Sequence, residues 1–245
     1  MNYSPGHQAT MVEISPNDRV FLLTGAGVSA ESGLPTFRGE GGIWRERRAE
    51  EIATPAAWHK NPQFVWEFYS MRRRKGAEVK PNPGHFALVA LERAIGDRLF
   101  LCTQNVDDLH EQAGSRNAVH MHGELFKSRC ESCTRLPFDD SNLYEPPRPL
   151  PRCSCGALIR PHICWFGEVP FQMDRIYRAL SECTLFIAAG TSGVVEPAAS
   201  FAEDARSRGA RTFYVGPEVP ANSRVFGEMF LGKSGEALPN LFKFL

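Results

Sequence analysis

The sequence predicts an α/β fold, a doubly wound parallel sheet into which a helical segment and a small cysteine-bearing insertion are set. Three observations predict it. Apolar runs of strand length at Val20–Leu23, Arg98–Thr103, Leu185–Ala189 and Thr212–Val215 alternate with stretches of helical period, the rhythm of a parallel sheet covered on both faces. The runs end on glycine or short polar side chains. Gly25 and Gly27, Gln104 with Asn105 and Asp107, His122, Gly190 with Thr191 and Ser192, and Glu218 would therefore gather at the carboxyl ends of the strands, where such sheets bind ligands. Between Ser128 and Pro161 the rhythm stops. Four cysteines stand there with little apolar periodicity, and a module so poor in core-forming residues needs a staple.

Val20-Phe21-Leu22-Leu23 ends at Thr24 and runs into Gly25-x-Gly27-x-x-Ala30, the G-x-G-x-x-G/A form that brings backbone N–H groups to a pyrophosphate. A merely tight βα turn explains the same residues. Ser29–Ser32 can start a helix that Gly33 and Pro35 cut short. A dehydrogenase needs a strand ending in an acid about 20 residues on; here that stretch, Trp44–Glu51, is too charged to be buried. Glu40–Lys75 reads as helical and irregular, with a high aromatic load. Asn61-Pro62 starts a helix that runs Phe64–Lys75, with Phe64, Phe68 and Met71 on one face. Arg72-Arg73-Arg74-Lys75 closes it, as suits the helix dipole.

Pro81–Gly84 is a turn, and His85–Ile95 a helix whose pitch is set by Phe86, Val89, Ala90 and Arg93, with Gly96 as its cap. The strand Arg98–Thr103 follows, then a helix over Asp108–Ala113 ended by Gly114, and a short strand Ala118–Met121 leading to His122-Gly123. Beyond the insertion come the strand Leu185–Ala189, a helix over Pro197–Arg208 ended by Gly209, the strand Thr212–Val215, an edge strand Phe226–Leu231 and a closing helix Ala237–Leu245.

The 245 residues carry 28 basic and 28 acidic side chains, so no global charge favours nucleic acid or an anionic membrane. No apolar run approaches the roughly 18 residues of a membrane span. Met1–Asp18 lacks the basic and apolar parts of an export signal and reads as a frayed lead-in. A cytoplasmic monomer without membrane contact is expected. Cys130-x2-Cys133 and Cys153-x-Cys155, four of seven cysteines, suit a tetrahedral Zn²⁺; four thiolates fill the sphere, so the metal would be structural. A redox pair is the alternative. Cys102, Cys164 and Cys183 sit in apolar contexts and read as core thiols.

Three further groups could carry chemistry. His122 ends a strand, and an ordinary imidazole pKa of about 6.5 suits a general base; a satisfied structural histidine is the alternative, and His120 lies two residues away. Asn105 and Asp107 are short polar groups at a neighbouring strand end, where turn chemistry or helix capping also explains them. Tyr69-x-x-Arg72 sets a phenol and a guanidinium on adjacent helical positions, able to grip a carboxylate or simply to end a solvated helix.

GAGVSAESGLPTFRG (residues 25–39), TQNVD, HMHGEL, the four cysteines, WFGE and GTS occur in that order. Together they resemble the sirtuins, NAD-dependent protein-lysine deacylases, from about Val20 to Pro239. ATPAAW with WEFYSMRR further resembles the branch that removes succinyl, malonyl or glutaryl groups. There the tyrosine and arginine matched by Tyr69 and Arg72 read the acyl carboxylate, and a small residue, here Ala53, leaves room for it.

The resemblance implies a Rossmann-like NAD-binding domain from residues 1–40, 76–127 and 162–245, a helical part of a small domain over 41–75, and a zinc-binding insertion over 128–161. It implies that NAD, consumed as co-substrate, is wrapped by Gly25, Ala26, Gly27, Glu31, Thr36, Phe37, Arg38 and Trp44, the Phe37 loop covering the nicotinamide ribose. Gln104, Asn105, Val106 and Asp107 would line the nicotinamide pocket, and Gly190, Thr191 and Ser192 the phosphate and adenosine side. His122 would be the general base, with Asn105 also catalytic. Cys164, Phe166, Gly167 and Glu168 with Val194, within 193–196, would clamp an acyl-lysine peptide as an added strand. At the adenosine ribose the family often carries Asn-x-Glu; this chain has Gly216-Pro217-Glu218, which keeps the acid and loses the amide. Ser234 stands at a variable backbone-contact position. An NAD-binding ADP-ribosyl transferase or a dehydrogenase-like protein is the alternative reading.

Overall fold

Each of the four long apolar runs forms a strand. The computed structural model describes residues 11–36 and 51–245. Its elements are β1 (Val12–Ile14), β2 (Val20–Thr24), α1 (Ala26–Ala30), α2 (Pro55–Lys60), α3 (Pro62–Glu78), α4 (Pro83–Ile95), β3 (Leu99–Thr103), α5 (Leu109–Ala113), β4 (Val119–His120), β5 (Gly123–Cys130), β6 (Phe138–Asp139) and β7 (Ile159–Ile163). There follow α6 (Met173–Glu182), β8 (Leu185–Ala189), α7 (Phe201–Ser207), β9 (Arg211–Gly216), β10 (Glu228–Leu231), α8 (Ser234–Ala237) and β11 (Phe242–Phe244). Among the described residues no helix is long and apolar enough to cross a membrane.

The main sheet has six parallel strands in the order β10-β9-β8-β2-β3-β4. The chain winds outward from β2 through β3 to β4, then returns to β8 and winds the other way. That is the doubly wound topology, and its reversal, between β2 and β8, is where a ligand crevice opens. Side chains alternate along β2. Val20 and Leu22 pack with Leu88, Leu91 and Ile95 of α4 on one face. Phe21 and Leu23 pack with Ile176 and Leu180 of α6 and with Phe201 and Ala205 of α7 on the other.

A second, antiparallel sheet has the order β6-β5-β7. Helices α2 and α3 lie against it: Trp58, Val65, Trp66, Phe68 and Tyr69 share a core with Leu125, Ile163 and Trp165. The side chain of Asn61 accepts from the N–H of Phe64, and Pro62 occupies the first turn of α3, where a missing N–H costs nothing.

Several elements depart from the sequence expectations. α1 begins at Ala26, because Gly25 in an extended conformation starts the helix directly after the strand. α3 runs through the four cations to Glu78, with Met71 half exposed and Arg73 buried. Phe86 is exposed, and Leu88, Leu91 and Ile95 carry the packing of α4. A 3-10 turn over Gly96–Arg98 precedes β3. The helix expected over Pro197–Arg208 is a 3-10 turn, Ala198–Ser200, followed by α7. The closing helix is replaced by α8 and β11, which pairs in parallel with β1; the alternation Phe242-Lys243-Phe244 is a strand pattern. α6 was not expected. Phe37, Arg38 and Trp44, and the irregular helix over 40–50, lie outside the described residues, as does most of the lead-in.

Candidate active site

The loops after β2 and β8 touch at the reversal point. Gly25 N–H donates to the Ala189 carbonyl at 2.9 Å and Gly27 N–H to the Gly190 carbonyl at 2.8 Å. A Cβ on Gly27 would stand 2.7 Å from Gly190 Cα. Residue 27 must therefore be glycine for the two turns to close, whatever binds between them. Beside this contact opens a cavity of about 520 Å³, a volume typical of a small-molecule or cofactor site.

The cavity collects most of the expected residues. Gly25, Ala26, Gly27 and Thr36 line it from the first turn, Gln104, Asn105 and Val106 from the end of β3, and His122 from the turn after β4. Ala53, Tyr69 and Arg72 close one end with Cys164, Phe166, Gly167 and Glu168; Gly190, Thr191, Ser192 and Glu218 line the other. Five expected residues do not line it. Asp107 is buried behind it. Glu31 is turned to α8, where its carboxylate accepts from Gly235 N–H at 2.6 Å. Ser234 is buried at the start of that helix, and Val194 lies half exposed. Gly216 lies under the Tyr214 ring. Sequence reasoning missed Tyr214, Ile163, Pro170, Val219 and Pro220, which also line the cavity. Tyr214 had a signal, since it shares a strand face with Gly216.

Two histidines two residues apart have their pKa values moved in opposite directions. His122 Nδ1 lies 3.1 Å from the Gln104 carbonyl. A carbonyl only accepts, so Nδ1 carries the proton and Nε2 keeps its lone pair. Burial holds this imidazole below its ordinary pKa, so it is neutral near pH 7. His120 places Nδ1 2.9 Å from the Asn105 carbonyl and Nε2 3.0 Å from Glu111. Burial opposes its charge, but Glu111 outweighs burial and raises the pKa. His120 ties β4 to α5 through Glu111, whereas His122 keeps a lone pair on Nε2.

Asn105 is held by a buried polar network. Its Nδ2 donates to the Gly25 carbonyl and to Ser29 Oγ, each at 3.1 Å, and its N–H donates to Thr103 Oγ1. Ser29 donates to Asp107 at 3.3 Å, and burial raises the Asp107 carboxyl above the ordinary range. Both amide protons of Asn105 thus fasten the glycine turn to β3, which leaves its carbonyl oxygen for the cavity. Gln104 spans the reversal: its carbonyl orients His122 while its amide donates to Thr191 Oγ1 at 2.9 Å.

Tyr69 and Arg72 are not a solvated helix end. Tyr69 is 2 % exposed, and burial pushes its phenol to about 12. Its oxygen accepts from Trp165 Nε1 at 2.9 Å, so its own proton remains to be donated. Arg72 beside it is half-buried; desolvation lowers its pKa, while Tyr69 and Asp107 favour its charge. Guanidinium remains cationic in any case.

Glu168 is committed elsewhere. It accepts from Arg160 at 2.7 and 3.0 Å, from Arg129 at 3.3 Å and from Trp165 N–H at 2.8 Å. Arg160 also lies 3.3 Å over the Trp165 ring. The paired Arg160–Glu168 contact holds Trp165, and Trp165 holds Tyr69. Phe166 N–H donates to the Ala53 carbonyl at 2.9 Å, closing the same end of the cavity.

The sulfurs of Cys130, Cys133, Cys153 and Cys155 all lie within 4.8 Å of one another. Cys130 and Cys155 are 3.5 Å apart, and Cys133 and Cys153 3.7 Å. Zn–S bonds of about 2.3 Å in a tetrahedron put sulfurs about 3.8 Å apart, so the cluster fits one zinc ion with no position left for water. The N–H groups of Cys133 and Ser132 point at Cys130 Sγ, each at 3.4 Å, and favour its thiolate. Apart from the cysteines, only Ile159, Phe138 and Ala157 form the apolar cluster here. Chelation is therefore expected to open the lobe to protease over 131–158 while the main sheet keeps its circular dichroism, with zinc restoring protection. Unchanged protection of metal-free protein would refute the staple.

Residues 25–197 match the sequence profile of the Sir2 family. An NAD-dependent protein deacylase of Caulobacter vibrioides is 47% identical over 224 residues, covering 90% of this chain and 94% of that protein. One of Salmonella typhimurium is 45% identical over 239 residues, covering 95% and 86%. Among solved structures, a Sir2 homolog–NAD complex superposes with a TM-score of 0.83 at 42% identity, covering 91% of this chain and 88% of that one.

Proposed function

The chain belongs to the Sir2 family, and from that premise we propose that it is an NAD-dependent protein deacylase that favours acidic acyl groups on lysine, succinyl, malonyl or glutaryl, over acetyl. The observation that carries the preference is the pair of buried Tyr69 and half-buried Arg72, a donor hydroxyl and a cation at one end of the cavity that also holds His122. A half-buried cation with a phenol donor is complementary to a carboxylate and has nothing to offer a methyl group.

NAD, when bound, would supply an electrophilic ribose carbon and accept the acyl group, and with one water consumed the products would be nicotinamide, 2'-O-acyl-ADP-ribose and free lysine. The glycine turns at Gly25–Gly27 and Gly190–Ser192 hold the pyrophosphate, and the Asn105 carbonyl with Val106 bounds the nicotinamide pocket. Asp107 supports this pocket from behind through Ser29. His122 Nε2 would take a proton from a ribose hydroxyl, since burial keeps the ring neutral near pH 7 and Gln104 fixes the direction of its lone pair. Glu218 accepts from the adenosine ribose. The loop Cys164–Glu168 and residues 193–196 hold the acylated peptide, Phe166 and Val194 offering apolar surface and Glu168 bracing the loop from within. Four reduced thiols free to bind zinc agree with a cytoplasmic setting.

Mass spectrometry of acetyl- and succinyl-lysine peptides, with and without NAD, tests the reading. Turnover that needs NAD and is faster on the succinyl peptide is expected; turnover without NAD, or a preference for acetyl, overturns it. Tyr69→Phe combined with Arg72→Met should lower kcat/KM for the succinyl peptide by about 10- to 100-fold, the worth of charge-assisted hydrogen bonds, and change acetyl turnover little. Equal losses on both peptides would make the pair structural.

A further inference from the structure

We infer that Tyr214 is a cofactor-binding residue, its hydroxyl filling at the adenosine end of the cavity the space left by the missing side chain of residue 216. The inference rests on the reading of the cavity as the NAD site. Tyr214 and Gly216 point to the same face of β9. A Cβ on Gly216 would fall against the Tyr214 hydroxyl oxygen, 2.7 Å from Cζ and 3.1 Å from Cε1. A side chain at 216 and a tyrosine at 214 therefore exclude one another, and the glycine is a consequence of the phenol.

The ring itself is fixed. It is 3 % exposed and packs on Phe226 with centroids 5.4 Å apart. Its hydroxyl donates to the Thr191 carbonyl at 3.3 Å, so the oxygen keeps lone pairs with which to accept. Thr191 is held from the opposite side by Gln104. Tyr214, Thr191, Pro217 and Glu218 share this stretch of cavity wall. Burial pushes the phenol to about 12, so it remains a neutral hydroxyl near pH 7.

A dinucleotide with its reactive ribose beside His122 and its pyrophosphate at the touching glycine turns must extend its adenosine past β8 to β9. There it meets Glu218 and Tyr214 together. The hydroxyl holds the Thr191 carbonyl of the 190–192 turn and offers a second acceptor beside Glu218.

Calorimetric binding of ADP-ribose and of nicotinamide mononucleotide, which lacks the adenosine half, tests this. Tyr214→Phe should weaken ADP-ribose about three- to tenfold, as for one neutral hydrogen bond, and raise KM for NAD with kcat held. Nicotinamide mononucleotide binding should stay within twofold of the parent, and the ligand-free melting temperature should fall by no more than one neutral hydrogen bond is worth. Gly216→Asn alone should lose affinity and stability, and Tyr214→Val with Gly216→Asn should regain both. ADP-ribose affinity within twofold of the parent in Tyr214→Phe overturns the inference, as does equal weakening of both ligands. If the parent protein itself fails to bind ADP-ribose, the NAD reading falls instead.

Discussion

Replacing His122 by Ala is expected to abolish acyl-lysine turnover while NAD binding and the melting temperature stay close to those of the parent protein. A positioned general base contributes about 10²- to 10⁴-fold, and among the described residues no second imidazole lines the cavity. His120, the nearest candidate, has both ring nitrogens engaged, by the Asn105 carbonyl and by Glu111. The pH profile offers a separate readout. Burial lowers the His122 pKa, so the neutral base persists below the ordinary value of about 6.5, and the acid limb of kcat/KM should lie below that value. The same shift makes His122 a small acid liability for folding: as pH falls through about 6.5 the unfolded chain takes up a proton that the folded chain resists. Single-turnover assays on acylated peptide, with NAD binding followed calorimetrically, check both parts. Full turnover in His122→Ala, or an acid limb above the ordinary histidine value, would remove the assignment.

His122 also shows what could be read from the sequence. Its place at a strand end followed from the apolar runs, because each run is short, bounded by polar residues and buried on both faces. The same logic found β2, β3, β8 and β9, and with them the glycine turns and the 104–107 stretch. The tetrad of cysteines was legible because ligand spacing is local. What was not legible depends on pairing between distant segments. That the Glu168 carboxylate is taken up by Arg160 and the Trp165 N–H, and that the amide protons of Asn105 go to the Gly25 carbonyl and to Ser29 Oγ, are facts of tertiary contact with no trace in spacing. β11 is an intermediate case: its alternation was visible, but the partner strand β1 was not.

Arg73 is the largest omission, and its removal is expected to be the most damaging single change to the fold among the residues described. In the sequence it is one of four consecutive cations at an apparent helix end. In the structure α3 continues to Glu78, and Arg73 falls on the buried stripe with Trp66, Tyr69, Ser70 and Gly76, so helical phase selected it from its neighbours. Its guanidinium donates to the carbonyls of Leu125 (2.8 Å), Asn142 (2.7 Å) and Lys127 (3.2 Å), to Ser128 Oγ (3.1 Å) and to Asp140 (3.3 Å). It also lies 4.9 Å from the Trp66 ring centroid. Both members of the Arg73–Asp140 pair are 1% exposed. Truncation to Ala leaves a buried carboxylate without its counter-charge and several carbonyls without donors, a cost of about 3–5 kcal/mol. For a chain of this length that lowers the melting temperature by on the order of 10 °C. Arg73→Met with Asp140→Leu should cost less than the sum of the two single changes, since removing both charges leaves neither stranded. Burial alone would raise the Asp140 carboxyl, but Ser128, Asn142 and Arg73 hold it below the ordinary value. The stability it contributes is therefore complete above the unfolded carboxylate range and lost as pH falls through the lower, folded pKa. Asp140→Asn should flatten that acid limb. Because α3 also presents Tyr69 and Arg72, Arg73→Ala at a temperature where it remains folded should raise KM for a succinyl peptide more than for an acetyl one. Denaturant melts of the four-member cycle, with m-values compared, decide the matter: strictly additive losses would mean that Arg73 and Asp140 do not act as a pair.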